Sequence, residues 1–442
     1  MTATTTQINI TERFLQEFEI LKFQLQEQSP EWLFKIRTEA IQKLKQLGIP
    51  TRKNELWKYT SLEKIFNQDY SHNGISNNSL QTPPLLWERD GVRSIQNLES
   101  IRITTYNGNY VASLSSTDQL PKGVVVCSFA KACESHAELV KKYFSQIASF
   151  EKDSLLALNT AFVQNGLFIS IPKNVIVEKP IHILNVVDNH EDVYYFQRNI
   201  IVLDSRAKAN IIETEHSSSS GVWNEVTEIS VGQEAQLNYH KLQNNLPSLV
   251  QLSHTAVSQK SKSFVHTGTY TMNTKWARNN LHFVLEGENS ETHLNGLYLT
   301  KENEFVDNHT LVDHKMPNCQ SNELYKGIMN DESTAVFNGK VFVHRDAQKT
   351  NAYQSNKNIV LTNEAKIYAK PELEIYADDV KCSHGATTGQ LDQEALFYLR
   401  ARGISEENAR SLLLEAFMND VLKTIKIEEL RKYIEEQINK IN

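Results

Sequence analysis

The closest pairing of cysteine and histidine in this sequence is Cys382-Ser383-His384, inside Ala377-Asp378-Asp379-Val380-Lys381-Cys382-Ser383-His384-Gly385-Ala386-Thr387-Thr388-Gly389. In an extended chain, side chains two positions apart lie on one face. A thiolate beside an imidazole suits a soft metal or sulfur chemistry. Two ligands do not close a metal site, so further ligands must come from elsewhere in this chain or from another. The competing reading is a buried thiol and a satisfied core histidine. The flanks favour function. Asp378, Asp379 and Lys381 make one side polar, and the small residues from Gly385 to Gly389 allow a partner's backbone close approach.

Other candidates are weaker. Cys319, in His314-Lys315-Met316-Pro317-Asn318-Cys319-Gln320, reads as a loop thiol. His309 and His314 lie near it, but the spacing matches no ligand pattern. His344 beside Arg345 and Asp346 reads as a solvated strand end, and Cys127 and Cys133 as structural. Phe397-Tyr398-Leu399-Arg400-Ala401-Arg402 combines the aromatics and arginines enriched at protein interfaces, although a plain capping helix would also fit. No dinucleotide fingerprint, P-loop, HExxH or GxSxG occurs, which argues against a stand-alone enzyme.

The elements that must position these residues fall into three blocks. The first is helical: Phe14, Phe18, Leu21 and Leu25 recur at spacings of 4, 3 and 4, and a second helix runs from Trp32 to Leu47 before Gly48 and Pro50. Mixed signals complete an N-terminal domain over residues 1–165, including a loop from Ser71 to Gln81 before Pro83-Pro84. The second block, 166–388, is dominated by strands. A small residue followed by alternating apolar residues restarts at Ala209, Ala235, Ser263, Thr292, Ala335 and Ala365, at intervals of 26, 28, 29, 43 and 30. Such a repeat of strands and turns predicts a solenoid rather than a β-sandwich, with an insertion or a missed coil in the 43-residue interval. The third block, 389–442, returns to helices, the last from about Ile427 to Ile441.

At 442 residues the chain is long enough for two or three domains. A net charge of -7 argues against nucleic acid as the main partner. No apolar run reaches the ~20 residues of a membrane span, and the N-terminus does not read as a secretory signal. Four scattered cysteines without a CxxC suggest a reducing compartment, the cytoplasm.

Taken together, Glu374 to Gly389 and Leu396 to Ile404 resemble the SufB/SufD family of iron–sulfur cluster assembly proteins, most closely its SufD branch. Asn338-Gly339-Lys340-Val341-Phe342-Val343, Asn159-Thr160-Ala161-Phe162 and Glu55-Leu56-Trp57-Lys58-Tyr59-Thr60-Ser61-Leu62 fit the same family. The resemblance implies a mainly β fold, a right-handed parallel β-helix between N- and C-terminal α-helical domains. It implies a heterodimer with SufB through the last strands, where Val380 would lie, and a copy of the ATPase SufC held by the C-terminal helices through Phe397, Tyr398, Arg400 and Arg402. It implies no enzymatic activity in this chain, but a nascent iron–sulfur cluster shared transiently with SufB and none held by the chain alone, which could form a homodimer in isolation. His384 matches the family's interface histidine, and Cys382 is the secondary candidate.

A SufB-like paralogue would carry Glu where Gly385 stands and Cys where Ser355 stands. A purely structural β-helix adaptor would leave the Cys/His pair inert. A carbohydrate-active β-helix enzyme would need paired carboxylates, and adjacent Asp378 and Asp379 face opposite ways in a strand.

Overall fold

The computed structural model describes residues 9–66, 71–72, 95, 97–188, 193–217 and 219–438. Of the expected loop, all but Ser71 and His72 lies outside the described residues; those two form a short strand beside Val193 and Tyr194. Helix Ile10–Glu27 starts at Asn9, whose side chain accepts the Thr11 N–H, and it buries Phe14, Phe18 and Leu25. Helix Glu31–Leu47 stops at Gly48, where φ is 68°. A residue with a Cβ is disfavoured there.

The strands wind into a parallel solenoid in which each coil gives one strand to each of two ladders. The first ladder runs from Ile101–Tyr106 and Ile181–Val187 through Lys208–Ser217 and the leading halves of Gln236–Gln259 and Phe264–Leu285. It continues through Glu291–Thr300, Gln320–Met329 and Asn351–Val360 to Lys381–Gly389. The second runs from Leu167–Ile171 and Val193–Leu203 through Gly221–Val231 and the trailing halves of the same two long strands. It ends with Phe305–His314, Thr334–Val343 and Lys366–Ile375.

One corner of the coil is built the same way each time. Arg206, Glu234, Lys262, Asn289, Asn318 and Lys349 all sit in the left-handed region, with φ between 58° and 61°. Their N–H groups donate to carbonyls of the next coil, for example Arg206 to Gln233 and Asn318 to Gln348. These bonds offset the ~1 kcal/mol cost of that conformation in a residue with a Cβ. A small residue follows shortly after each and is buried: Ala207, Ala235, Ser263, Ser290, Cys319 and Thr350. The restart legible at Ala235 and Ser263 is this corner.

Two expectations are sharpened here. The 43-residue interval contains no insertion but a missed coil, which restarts at Ser321. Thr292 stacks on Ser321 in the first ladder, whereas Ala335 stacks on Val306 in the second, so the interval is a full coil followed by a half coil. Cys319 does lie in the loop between His314 and Gln320. It is a fully buried corner residue, with Sγ 3.3 Å from the Gly287 carbonyl oxygen.

Both ends of the chain fold back onto the solenoid. Helix Ser154–Phe162 is buried throughout, and Asn159 donates to the carbonyls of Gln197 and Asn224 in adjacent coils. Glu228 accepts from the backbone N–H groups of Ser145, Ile147 and Ala148 and pairs with Arg198 at 2.7 Å. Further along, the segment Glu55–Thr60 forms a strap. Trp57 lies under the Arg278 guanidinium, 3.6 Å from its ring centroid, and Tyr59 stacks on Tyr368 at 4.2 Å. Thr60 donates to Asp307, which also pairs with Arg278 at 2.7 Å and with His309 at 2.9 Å. C-terminal helices Gln393–Ala401, Glu406–Leu422 and Glu428–Ile438 pack against the first ladder, with Leu414, Met418 and Val421 near Leu297, Leu299 and Ile328. Lys326 joins them by an ion pair to Asp420 at 2.6 Å.

Asp307 is the joint of the strap. Breaking a buried pair strands the remaining charge, so Asp307→Ala is expected to cost about 3–5 kcal/mol of unfolding free energy and to open the strap to protease. Chemical denaturation and limited proteolysis measure both. A midpoint equal to wild type would remove Asp307 from this role.

Candidate functional site

The site lies at the open end of the solenoid. Among the described residues, Lys366–Ile375 and Lys381–Gly389 each have a ladder neighbour on one side only. Tyr353, Tyr368, Ile375 and Tyr376 are exposed around this end, and an added Cβ at Gly385 or Gly389 would meet nothing within 4 Å. A free parallel edge with apolar rim residues is a docking surface by its physics.

The register fixes which way the candidate residues face. In Asn351–Val360 the buried residues are Ala352, Gln354, Asn356 and Asn358, with Ile359. Their partners in the last strand are Cys382, His384, Ala386 and Thr388. Cys382 and His384 therefore belong to the inward row, on one face, about 7 Å apart along the strand. Cys382 is half-buried against Ala352, Val341 and Val343, and burial raises its thiol above the ordinary value. A raised thiol is a poorer ligand and nucleophile at neutral pH. His384 is exposed at the end of the row. Val380 is half-buried beside Cys382. Phe397 and Tyr398 are 75% and 58% exposed on the helix that follows, beside a shallow groove lined in part by Ala395, Ala401 and Leu413. Arg402 lies over the Tyr398 ring and Arg400 pairs with Glu406 at 3.2 Å. The strand residues and the helix residues thus form two separate groups, joined by a short turn. His344 is paired with Asp313 at 2.8 Å.

The interior behind the site is unexpectedly polar. Lys241 sits among Glu213, Glu215 and Glu225, within 2.7 Å of Glu215 and in contact with Glu225. The three carboxylates are close enough to hold a cation, and the Lys241 ammonium supplies it. Burial and the repulsion of Glu213 raise Glu225 well above its ordinary value, which favours its neutral form. Burial also acts to raise Glu213, but Lys241 and its hydrogen bonds outweigh it and hold it below the ordinary value. The cluster thus limits its own charge. Nearer the open end, Tyr298 donates to Asn358, and Asn356 donates to Tyr298 at 2.9 Å. These residues are scattered in sequence. Only the coil period brings them together, although the alternation of Glu213 with Glu215 in a strand was a visible trace.

Histidines are buried along the same solenoid. Burial pushes His182, His216, His266 and His314 down to about 4, and His240 and His254 to about 3. The unfolded value is near 6.5. Below pH 6.5 the unfolded chain binds protons that the folded chain refuses, so stability present above that pH is lost as pH falls toward 4. Burial raises Glu215 and Glu225, and raises Glu304 and Glu323 to about 7. Those four act in the opposite sense, and the six histidines outnumber them. Denaturant midpoints are expected to decline from pH 7 to pH 5. A flat or rising profile would contradict the neutral buried histidines.

Comparison with known proteins agrees with this architecture. The chain matches the family model for the SufBD core domain of the SUF system for FeS cluster assembly over residues 185–417, and that for the SufBD protein N-terminal region over residues 8–183. It is 30% identical over 407 residues to an iron–sulfur cluster assembly SufBD family protein of Synechocystis, covering 89% of this chain and 88% of that one. It is 30% identical over 403 residues to the iron–sulfur cluster assembly protein SufD of Escherichia coli, covering 90% of each. The SufD of Bacillus subtilis is 26% identical over 97% of each chain. Among the described residues no helix is long and apolar enough to cross a membrane. With a parallel solenoid between helical ends and two family models spanning most of its length, the chain belongs to the SufBD family of iron–sulfur cluster assembly proteins.

Proposed function

We propose that this chain is the SufD-like scaffold subunit of a SufBCD-type complex. It pairs with a SufB-like chain through the open end of its solenoid and holds a SufC-like ATPase through its C-terminal helices. The nascent cluster is the substrate of the assembly, formed at the joint from iron and delivered sulfur, and the chain alone holds none. Its own part is non-enzymatic and cytoplasmic. The observation that carries this reading is the uncapped last coil, whose inward row ends in an exposed imidazole on an unpaired parallel edge. A second chain continuing the ladder would cover that edge and bring its own ligands beside His384. Cys382, half-buried and raised, is the lesser candidate.

Two features favour the SufD-like assignment over a SufB-like one. Ser355, where SufB-like chains resemble one another in carrying cysteine, has no thiol to receive sulfur, and Gly385 adds no carboxylate beside His384. On the helix Gln393–Ala401, Phe397 and Tyr398 offer the aromatic anchors that an ATPase contact would need.

Co-expression with SufB-like and SufC-like chains tests the whole reading. All three are expected to co-purify. Anaerobic reconstitution with iron and sulfide is expected to give cluster absorbance only with the partner. His384→Ala is expected to lower cluster formation on the order of tenfold or more while the chains stay associated. Phe397→Ala with Tyr398→Ala is expected to release the ATPase and spare the pairing with the SufB-like chain. Undiminished cluster formation by His384→Ala would remove His384 from the site.

A further inference from the structure

The inward row that ends at His384 can be followed back into the solenoid. Leu294, Glu323, Gln354 and His384 are consecutive rungs of one register. The last three are polar. Glu323 and Gln354 are 2% and 3% exposed, and Gln354 Nε2 donates to Glu323 Oε2 at 2.9 Å. Above its raised value of about 7 Glu323 is a carboxylate, which only accepts, so there this bond decides which end of the amide points at it. The other end, Gln354 Oε1, is buried and has no hydrogen-bond partner among the described residues. Buried acceptors are rarely left so. The next rung is His384, an imidazole that carries at least one N–H in every protonation state.

Space around the amide has been made for it. Gly339 lies on the opposite ladder, and a Cβ there would fall 2.3 Å from Gln354 Nε2. The glycine therefore serves the amide rather than a turn, since it lies within the strand Thr334–Val343.

We infer that Gln354 is a positioning residue for His384: its Oε1 accepts one imidazole N–H, leaving the other ring nitrogen unprotonated and facing out of the open end. Glu323 in turn holds the amide in the sense that offers oxygen. The rungs are about 4.8 Å apart, the spacing of neighbouring strands, which a histidine rotamer can bridge. Histidine ligands of metals are commonly set in this way by a hydrogen bond to the second nitrogen. The inference rests on the reading of His384 as a ligand of the nascent cluster, and it gives that ligand its tautomer.

The test uses the full chain labelled with ¹⁵N-histidine at a pH where imidazoles are neutral. Two-bond ¹H–¹⁵N correlations report the tautomer, and His384→Ala assigns the resonance. Wild type is expected to show a single His384 tautomer. Gln354→Leu is expected to show the mixture of a free imidazole at an unchanged fold. Gly339→Ala keeps the amide and displaces it, so it is expected to give the same mixture; it decides the matter if Gln354→Leu does not fold. In the reconstituted complex, Gln354→Leu is expected to lower cluster formation on the order of tenfold. Equal tautomer populations in wild type and both variants would overturn the bond, even with His384→Ala inactive. A fixed tautomer alongside normal cluster formation by His384→Ala would overturn the role instead, by removing the ligand that the bond serves.

Discussion

A parallel solenoid satisfies its strand edges and its inward rows only while another coil follows. At its ends, the backbone N–H and C=O groups of the last rung have no neighbour, and the inward row faces water. This chain treats its two ends differently. At the first end, Leu167–Ile171 pairs antiparallel with Val125–Ser128, and the helix Ser154–Phe162 is buried against the early coils. At the other, the chain leaves Gly389 and packs its helices on the outer face of the first ladder rather than across the end. The uncovered coil is where His384 lies.

The inside of the solenoid carries a second constraint. A buried polar group costs free energy unless it is partnered, and a half-satisfied network is worse than an apolar core. Here the middle coils are partnered closely: Lys241 among three carboxylates, Gln251 donating to Glu215 at 2.6 Å, and Gln243 donating to Gln251 at 2.7 Å. Among the described residues, single buried acceptors without a partner occur along the solenoid, from Gln197 Oε1 and Gln259 Oε1 to Gln354 Oε1 near the open end.

Much of this was written locally in the sequence. Alternation shows strands, and a small residue beyond a left-handed corner shows where each coil restarts, because both are features of a few consecutive residues. The shared face of Cys382 and His384 followed from their spacing alone. What could not be read were relations between coils. Ala335 and Thr292 alternate in the same way although they belong to different ladders, so the 43-residue interval resembled a defect. Cys319 stood among Pro317 and Asn318 and read as the loop residue it is, but its burial comes from the coils stacked around it. Glu213, Glu215, Glu225 and Lys241 gave no sign of their cluster one at a time. Gln354 carried no signal until the register placed it under His384.

The same register links the open end to the rest of the molecule. The C-terminal helices grip the first ladder through Lys326 and the apolar contacts around Ile328 and Leu297, and that ladder ends in the strand of His384. The N-terminal strap grips the second ladder through Arg278, Asp307 and Tyr368, and Lys370 of its last strand pairs with Glu55 at 2.9 Å. Each ladder is therefore gripped by a different end of the chain. Parallel ladders are stiff along the register, since every rung is bonded to the next, whereas the two last strands meet chiefly at the turn from Ile375 to Lys381. If the helices carry an ATPase, as proposed, a pull on them loads the first ladder while the strap restrains the second. A displacement of one ladder against the other would move His384 relative to the Tyr368 side of the same surface. Coupling of this kind needs no lid and no loop. It follows from anchoring two rigid ladders at opposite ends of one chain and leaving their common end uncovered.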